Sequence, residues 1–343
     1  MTQKKISLHT SFSKRQKQHR TVNREKGWGK GLTEGPVFTY KLLHPHFWGA
    51  WAAIFTLYCC VTFIPYPLLM KLGKLIGRIM AKVIKGRGYI VDCNLKLAFP
   101  QMSEQERKDL AKKIFENSGM AIFETGMAWF WSDNRILKYT LIDDEELEHA
   151  QKLADENARI LVLTCHFVTL ELMARMYALT IKPGVGVYRP SDHPVWEYIQ
   201  VKGRLKSNLA LVDRADPRTM IRALMKNLPI WYAPDQDYGK KVSIFVPFFA
   251  VEKAATVTGT RDLAKIKNTL VQPSWTIRTK EGYRLYVKAP LENFPTDDEV
   301  KDTTYCNKVI EDMIKIAPEQ YLWMHRRFKT TPEGEPSRYP DIT

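Results

Sequence analysis

The 343-residue sequence lacks several patterns that identify common classes of enzyme and binding protein. Its five cysteines are scattered and form neither a disulfide framework nor a metal-binding spacing, which predicts a reduced, cytosolic globular part. No glycine-rich phosphate loop occurs, so nothing supports a nucleotide cofactor, and no other cofactor is expected. A G-x-S-x-G nucleophile elbow is also absent, so we expect no serine nucleophile of that type.

Acidic residues are few beside the basic ones: 52 Lys and Arg stand against 37 Asp and Glu, a formal net charge of +15. The first 46 residues hold ten Lys or Arg against Glu25 and Glu34, so +8 belongs to this segment and +7 to the remainder. Residues 1–40 show no apolar period, and we interpret them as a flexible basic arm. The charge suits an acidic partner, anionic lipid, or both. No helix-turn-helix, zinc-finger or RNA-binding signature supports nucleic acid as a partner.

One apolar stretch, Phe47 to Ile64, contains no charged residue and carries aromatic residues near both ends. As a helix it would be about 27 Å long, just short of a hydrocarbon core of about 30 Å, so it is a minimal candidate for crossing a membrane. A buried helix and a helix lying in the membrane plane are the alternatives. Basic residues from Lys71 to Arg87 predict an amphipathic segment next, and residues 41–90 together form the expected membrane anchor. Because both flanks are basic, the positive-inside rule assigns no orientation.

The stretch from Arg159 to Tyr177 begins with an apolar, branched run and continues as an apolar-periodic helix. The run predicts a strand buried on both faces, and His166 then lies at its carboxyl end, where open α/β sheets hold ligands. Glu171 comes five residues later, and the two side chains meet if Glu171 lies in the first turn of the helix. This predicts a catalytic dyad in which Glu171 orients His166 as a base. The alternative is a core histidine beside a carboxylate that only favours the helix start.

Three further short apolar runs predict strands, V-G-V-Y (185–188), L-A-L-V (209–212) and L-P-I-W-Y-A (228–233). With helices between them, they predict an α/β fold with a mostly parallel central sheet flanked by helices. Two more strands within residues 270–289 predict an antiparallel hairpin at the sheet margin. Residues 91–343 are therefore expected to form the catalytic domain.

Charged residues follow these predicted strands, namely Arg189, Asp213, Arg214, Asp235 and Asp237. Because the carboxyl ends of parallel strands share one edge of a sheet, we expect these side chains near His166. The planar fork of arginine suits phosphate, carboxylate or oxyanion contacts, with Arg189 the first candidate and Arg214 a weaker one. The aspartates are expected to support the arginines or the catalytic loop. A metal held by Asp235 and Asp237 would lack a third ligand in this block, and no metal site is predicted.

Longer blocks of the chain resemble one family. They are G-V-Y-R-P (186–190), D-R (213–214), W-Y-A-P-D-Q-D-Y-G (231–239), F-V-P-F-F-A-V-E-K-A-A-T-V-T-G-T (245–260) and P-E-Q-Y-L-W-M-H-R-R-F-K-T (318–330). With the spacing of His166 and Glu171, they make roughly residues 40 to 340 resemble the late acyltransferases of lipid A biosynthesis, which belong to the glycerolipid acyltransferase-like enzymes. The lauroyl- and palmitoleoyl-type enzymes are the most similar. Gln236 stands where this family commonly has histidine, so we assign it no catalytic role.

The resemblance implies a bacterial inner-membrane enzyme with its catalytic domain on the cytoplasmic side. It would move a fatty acyl chain, laurate by preference, from acyl carrier protein to the 3-hydroxyl of a hydroxyacyl chain on the Kdo-bearing precursor, Kdo-lipid IVA. Membrane lipids are the further expected partner. Arg326 and Arg327 are additional, weaker candidates for binding the acceptor. Two other functions stay open, a thioesterase-type hydrolase that uses the same dyad and a non-catalytic lipid-binding protein.

Overall fold

The computed structural model describes residues 4–5 and 32–341, so most of the predicted basic arm lies outside the described residues. These residues form an α/β fold with one nine-stranded sheet and one two-stranded sheet. The strands, in chain order, are β1 Lys4–Lys5, β2 Leu32–Thr33, β3 Thr140–Ile142, β4 Arg159–Leu163, β5 Val185–Tyr188, β6 Ala210–Asp213, β7 Ile230–Tyr232, β8 Ser243–Phe248, β9 Val251–Val257, β10 Thr269–Arg278 and β11 Tyr283–Val287. The helices are α1 Trp48–Phe63, α2 Tyr66–Val83, α3 Lys85–Ala98, α4 Glu104–Phe130, α5 Asp133–Lys138, α6 Asp144–Asp155, α7 Leu170–Thr180, α8 Pro194–Arg204, α9 Pro217–Met225, α10 Gly259–Ala264 and α11 Glu299–Ile316.

The large sheet has the order β1-β3-β11-β10-β4-β7-β5-β6-β2. Its centre, from β10 through β4, β7 and β5 to β6, is parallel, and this confirms the predicted mostly parallel sheet. β10 and β11 form the predicted antiparallel hairpin, although β3 and β1 extend the sheet beyond it. The two-stranded sheet of β8 and β9 was not predicted from the sequence.

The central strand β4 is buried on both faces, as its continuous apolar run predicts. Leu161, Val162 and Leu163 have no exposed side-chain surface, and the neighbouring Ile230 in β7 is equally buried. Parallel strands covered by helices on each side need apolar residues at every position, so alternation disappears. The core of the protein is therefore built around the strand that leads to His166.

Helix α4 is longer than the sequence predicts. The sequence S-E-Q-E at residues 103–106 predicts a capping box that opens a helix ending near Asn117. The capping box is present, since Ser103 and Glu106 exchange hydrogen bonds, but the helix runs on to Phe130. Gly119 lies within this helix, and because it has no side chain, α2 can approach α4 closely at this point. A Cβ atom at Gly119 would lie 2.2 Å from the carbonyl oxygen of Gly73 in α2.

The predicted membrane segment, residues 41–90, joins the common core. Leu42, Ile54, Val61 and Leu69 are buried within the same hydrophobic cluster as the central strands. Helix α3 runs across residue 90, and the side chain of Asn94 in α3 donates hydrogen bonds of 2.7 Å to the carbonyls of Trp323 and His325. The boundary at residue 90 stays a prediction, and the chain continues through it as one helix. Among the described residues, the helical stretch Pro45–Phe63 is long and apolar enough to cross a membrane.

Candidate active site

His166 lies in the short loop between β4 and α7, at the carboxyl edge of the sheet. The backbone N–H of Thr164 donates to the carbonyl of Tyr232, which continues the pairing of β4 with β7 past the end of the strand. α7 begins at Leu170, so the loop after β4 is short and keeps His166 at the edge of the sheet. The predicted position of His166 at the end of a buried central strand is confirmed.

The carboxylate bound to His166 belongs to Asp235, which follows β7. Nδ1 of His166 lies 2.7 Å from Oδ1 of Asp235, and the backbone N–H of His166 donates to Oδ2 at 2.9 Å. Asp235 is buried, and burial alone would raise its pKa. The neighbouring His166 charge and the hydrogen bonds from His166 outweigh burial and hold the pKa of Asp235 below its usual range. Asp235 therefore fixes the proton of His166 on Nδ1 and leaves Nε2 to accept a proton.

This geometry corrects the predicted pairing of His166 with Glu171. Both carboxylate oxygens of Glu171 are engaged elsewhere: Oε1 accepts hydrogen bonds from Nε and Nη2 of Arg204 at 2.8 and 2.5 Å, and Oε2 accepts one from Trp129 at 3.1 Å. The physical reason is the order of the strands in the sheet. Asp235 follows β7, which lies next to β4, so its carboxylate lies beside the His166 ring although the two residues are far apart in the chain. The catalytic role of Glu171 stays a prediction.

The pair of Glu171 and Arg204 is held by a close contact between α4 and α8. Gly203 precedes Arg204, and a Cβ atom there would lie 2.3 Å from Cγ of the Trp129 indole. The indole therefore packs directly against α8 at Gly203 and donates to Glu171. Sequence reasoning missed Arg204 and Trp129, because no local spacing connects residues 129, 171 and 204.

A strap near the C-terminus, residues 318–330, fixes the backbone from His166 to Val168. The N–H of Leu322 donates to the carbonyl of His166 at 3.0 Å, and the N–H of Val168 donates to the carbonyl of Gln320 at 2.9 Å. Phe167 and Tyr321 form an antiparallel bridge between these two bonds. The strap belongs to the block P-E-Q-Y-L-W-M-H-R-R-F-K-T, so this block positions the loop that carries the base.

A cavity of about 880 Å³ opens beside this loop. Its wall includes His166 and Glu171, and the volume lies within the usual range of about 300 to 1,000 Å³ for ligand pockets. Most of the remaining wall is apolar, with Met173, Leu211, Met220, Ile221, Trp231 and Leu263 among the residues that form it. An apolar cavity with an imidazole in its wall can hold an alkyl chain with its reactive end at the base.

Arg189 and Arg214, the two predicted arginines, also line this cavity. Arg189 is largely exposed and pairs with Asp192 at 2.9 Å, so its guanidinium lies at the solvent side of the wall. The guanidinium of Arg214 lies 5.0 Å from the centre of the Tyr238 ring, which orients it by a cation–π contact. Both side chains are placed where they can reach a charged group of a bound substrate.

Three other predicted residues have structural contacts instead. Asp213 accepts a hydrogen bond from the backbone of Ala215 at 2.8 Å, and buried Asp237 binds Thr330 through its N–H and hydroxyl at 2.8 and 2.7 Å. Asp237 thus ties the loop after β7 to the C-terminal strap, as a supporting residue would. Arg327 is buried and donates to the carbonyl of Ala255 at 2.6 Å, so the prediction that it binds substrate is wrong.

The remaining polar residues of the loop add no metal site. Arg326, a weaker candidate, is half-buried and stays a prediction. Among the described residues, no group of three His, Cys, Asp or Glu side chains is arranged to hold a metal ion. Asp235 and Asp237 direct their oxygens to His166 and Thr330, two different partners, so they do not converge on one point.

Comparison with known proteins identifies the family of this chain. Residues 36–330 match the family model described as bacterial lipid A biosynthesis acyltransferase. The chain is 46% identical to the lipid A biosynthesis lauroyltransferase of Escherichia coli K12 over 310 residues, which are 90% of this chain and 100% of the relative. The chain belongs to the bacterial lipid A biosynthesis acyltransferase family. It is also 41% identical to the palmitoleoyltransferase of the same organism over 304 residues, 88% of this chain and 98% of the relative, and 27% identical to its myristoyltransferase over 310 residues, 89% and 94%.

The chain is therefore an acyltransferase with a lipid A-type acceptor, and this confirms the family predicted from the sequence blocks. In this acyltransferase, the His166 imidazole and the pair of Glu171 with Arg204 line the same cavity, and the buried Asp235 carboxylate binds the imidazole from behind the wall.

Proposed function

We propose that this acyltransferase transfers laurate from acyl carrier protein to the 3-hydroxyl of a hydroxyacyl chain on Kdo-lipid IVA. The observation that carries the proposal is the imidazole of His166, bound to buried Asp235, on the wall of an apolar cavity in a member of this family. Laurate is favoured over palmitoleate because the chain is more similar to a relative named lauroyltransferase, at 46% against 41% identity.

In the proposed reaction, Nε2 of His166 removes the proton from the acceptor hydroxyl as its oxygen attacks the thioester carbonyl carbon. The tetrahedral intermediate collapses with loss of the carrier thiolate, and the imidazolium returns its proton to that sulfur. Asp235 stabilises the imidazolium while it exists, since a fully buried carboxylate at 2.7 Å interacts strongly with the charged ring. No covalent acyl-enzyme intermediate is required.

The charged residues of the cavity wall are proposed to bind the substrates. Arg189 and Arg214 suit the phosphates and carboxylates of the acceptor or the developing oxyanion, because their planar forks make parallel hydrogen bonds to such groups. Arg204 is neutralised by Glu171 at 2.5 Å, so it acts through the position of Glu171 and the wall rather than as a free cation. The pair places one charge of each sign beside the reacting hydroxyl without adding net charge.

The proposed location is the inner membrane, with the catalytic domain on the cytoplasmic side, where acyl carrier protein is available. The net charge of +15 favours both an acidic carrier protein and anionic lipid. The apolar helix α1 and the basic residues of α2 support attachment to the membrane.

A transfer assay with purified protein tests the proposal. Lauroyl and palmitoleoyl acyl carrier protein are each supplied with Kdo-lipid IVA, and the product is analysed by mass. We expect addition of one mass of laurate, at a higher rate than palmitoleate, and no transfer by His166→Ala. Release of free fatty acid at the same rate without acceptor would identify a hydrolase instead, and full activity of His166→Ala would exclude His166 as the base.

A further inference from the structure

The exposed apolar side chains of the protein concentrate in one segment. Of 21 large hydrophobic residues exposed among the described residues, 13 lie between Val37 and Ile84. Residues 35–91 contain seven Lys or Arg and no Asp or Glu. A segment that is apolar, basic and free of acidic residues fits the headgroup region of an anionic lipid leaflet.

Helix α1 packs on the globular body from its first turn to its last. Near its start, Trp51 donates a 2.7 Å hydrogen bond to the carbonyl of Leu42, and its ring lies 6.1 Å from that of Tyr198 in α8. Near its end, the carbonyl of Val61 accepts a 2.7 Å hydrogen bond from the indole of buried Trp131. A helix held to the body at both ends lies along it and cannot project away from it.

The opposite side of α1 is apolar and uncovered. Trp48, Phe55 and Phe63 are 63%, 66% and 75% exposed and lie on one side of the helix, within about 80° of one another at 100° per residue. A helix with one side packed on the body and the opposite side apolar and uncovered fits a position in the interface rather than one crossing the bilayer.

Helix α2 has three distinct faces. Leu69, Gly73 and Gly77 are buried against α4, while Leu68, Leu75, Ile79 and Val83 form an exposed apolar stripe. A basic stripe lies beside the apolar one, about 100° around the helix, and consists of Lys71, Lys74, Arg78 and Lys82. This arrangement is typical of a helix whose apolar side enters the leaflet while its lysines reach the headgroups.

Both helices lie on the same face of α4. Gly119 of α4 meets α2, and Gly126 meets Leu57 and Val61 of α1. Seven residues amount to about 700°, so Gly119 and Gly126 point within about 20° of each other. α1 and α2 therefore form one layer outside α4, with their exposed apolar sides facing away from it.

We propose that α1 does not cross the bilayer, and that α1 and α2 lie in the plane of the cytoplasmic leaflet with their exposed apolar faces among the acyl chains. This inference rests on the proposed membrane attachment and specifies its form. It also accounts for the charges around α1. The segments before and after α1 are both rich in Lys and Arg, so the positive-inside rule favours the cytoplasmic side for both. A helix that crossed the membrane once would place one of these segments on the opposite side.

Cysteine labelling from each side of the membrane tests this topology. Gly35→Cys precedes α1 and Gly86→Cys follows α2; both positions are exposed, and an added Cβ atom meets nothing within 4 Å. Each is placed in a chain whose five native cysteines are replaced by serine or alanine, and that cysteine-free chain is the control. A membrane-impermeant maleimide is applied to spheroplasts and to inverted inner-membrane vesicles.

We expect both cysteines to react in inverted vesicles and neither to react in spheroplasts. Labelling of the two positions from opposite faces would overturn the inference and leave membrane attachment intact. Recovery of the protein in the soluble fraction would instead refute the attachment itself.

Vesicle binding tests the immersed faces directly. Phe55→Asp in α1 and Ile79→Asp in α2 should each weaken partition into vesicles containing anionic phosphatidylglycerol by roughly tenfold or more, because each removes one immersed apolar side chain and adds a charge. Val300→Asp is the matched control, since Val300 is 57% exposed on α11 and should leave partition unchanged. Unaltered partition of Phe55→Asp would show that the outer face of α1 does not enter the leaflet.

Discussion

Replacing Asp235 by asparagine is the sharpest test of the catalytic geometry. In the wild type, Asp235 accepts two hydrogen bonds from His166, one from the ring at 2.7 Å and one from the backbone N–H at 2.9 Å. Asparagine has one acceptor oxygen and one donor amide group. If the oxygen keeps the backbone N–H, the amide must donate to Nδ1. The ring proton then moves to Nε2, and the base is lost.

The expected cost follows from this change of tautomer. Loss of the orienting carboxylate in a comparable arrangement lowers turnover by about 10⁴-fold, which corresponds to about 5.4 kcal/mol of transition-state stabilisation. Glu171→Gln should cost less, about 10- to 100-fold, because an amide oxygen still accepts from Arg204 at the cost of the ion pair.

The assay is single-turnover transfer from lauroyl acyl carrier protein to Kdo-lipid IVA, with circular dichroism and thermal melting to show that each variant folds. The refuting result is a reversal of the two effects. If Asp235→Asn stayed within about tenfold of wild type while Glu171→Gln lost about 10⁴-fold, Glu171 would be the orienting carboxylate. The predicted dyad would then be restored, and the contact with Asp235 would be structural.

Three further predictions concern packing, substrate binding and pH. Gly203→Ala should lower the unfolding free energy by about 1 to 3 kcal/mol and also lower the rate of transfer, because the added methyl group meets Trp129. Gly86→Ala is the control, since nothing lies within 4 Å of a Cβ atom there, and it should be neutral or slightly stabilising. Arg189→Lys should be nearly as inactive as Arg189→Ala at low and high salt, because lysine keeps the charge and loses the planar fork. Burial lowers the pKa of His325 to about 4, so the free energy of unfolding should fall by about 2 kcal/mol as pH drops from 6.5 towards 4. His325→Gln should remove this contribution to the pH dependence.

Each of these has a clear contrary outcome. Equal melting temperatures for Gly203→Ala and Gly86→Ala would show that the indole moves away at no cost. A fully active, salt-insensitive Arg189→Lys enzyme would remove Arg189 from the site. For His325, the sign follows from its depressed pKa: the unfolded chain binds a proton below about pH 6.5, while the folded chain resists protonation until about pH 4. A wild-type stability that rose on acidification through this window would contradict the assignment.

The sheet was predictable because each central strand is a short run of consecutive apolar residues, which can be recognised from the local sequence alone. The strand leading to His166 is a continuous run of branched apolar residues, and its full burial is the reason for that composition. Helix α4 was predicted too short because its polar first half, to about Asn117, and its Met- and aromatic-rich second half, from Met120, were interpreted as two segments. Gly119 lies between them, and its close approach to α2 depends on a partner 46 residues earlier at Gly73, which no local window contains.

The partner of His166 was not predictable for a related reason. Leu163 of β4 pairs with Tyr232 of β7, and His166 and Asp235 each follow three residues later. Equal offsets from paired residues place the two side chains side by side. This arithmetic needs the strand order, in which β7 neighbours β4 even though β5 and β6 come between them in the chain. Without it, Glu171 was the nearest carboxylate in sequence and Asp235 only a supporting residue.

Helix α4 connects the proposed membrane face to the reacting groups. Gly126 receives Leu57 and Val61 of α1, and Trp129, one turn further, donates to Glu171. Three residues of helix rise about 4.5 Å, so along the axis of α4 the residues that contact α1 and the residue that contacts Glu171 are separated by less than one turn. An acceptor whose acyl chains stay in the leaflet would therefore need to lift its hydroxyl only a short way to reach His166. Extracting several alkyl chains into water would cost about 0.8 kcal/mol for each methylene, and this short path avoids that cost. The proposed in-plane position of α1 and α2 and the apolar cavity therefore serve the same requirement, which is to keep the acyl chains of the substrates out of water.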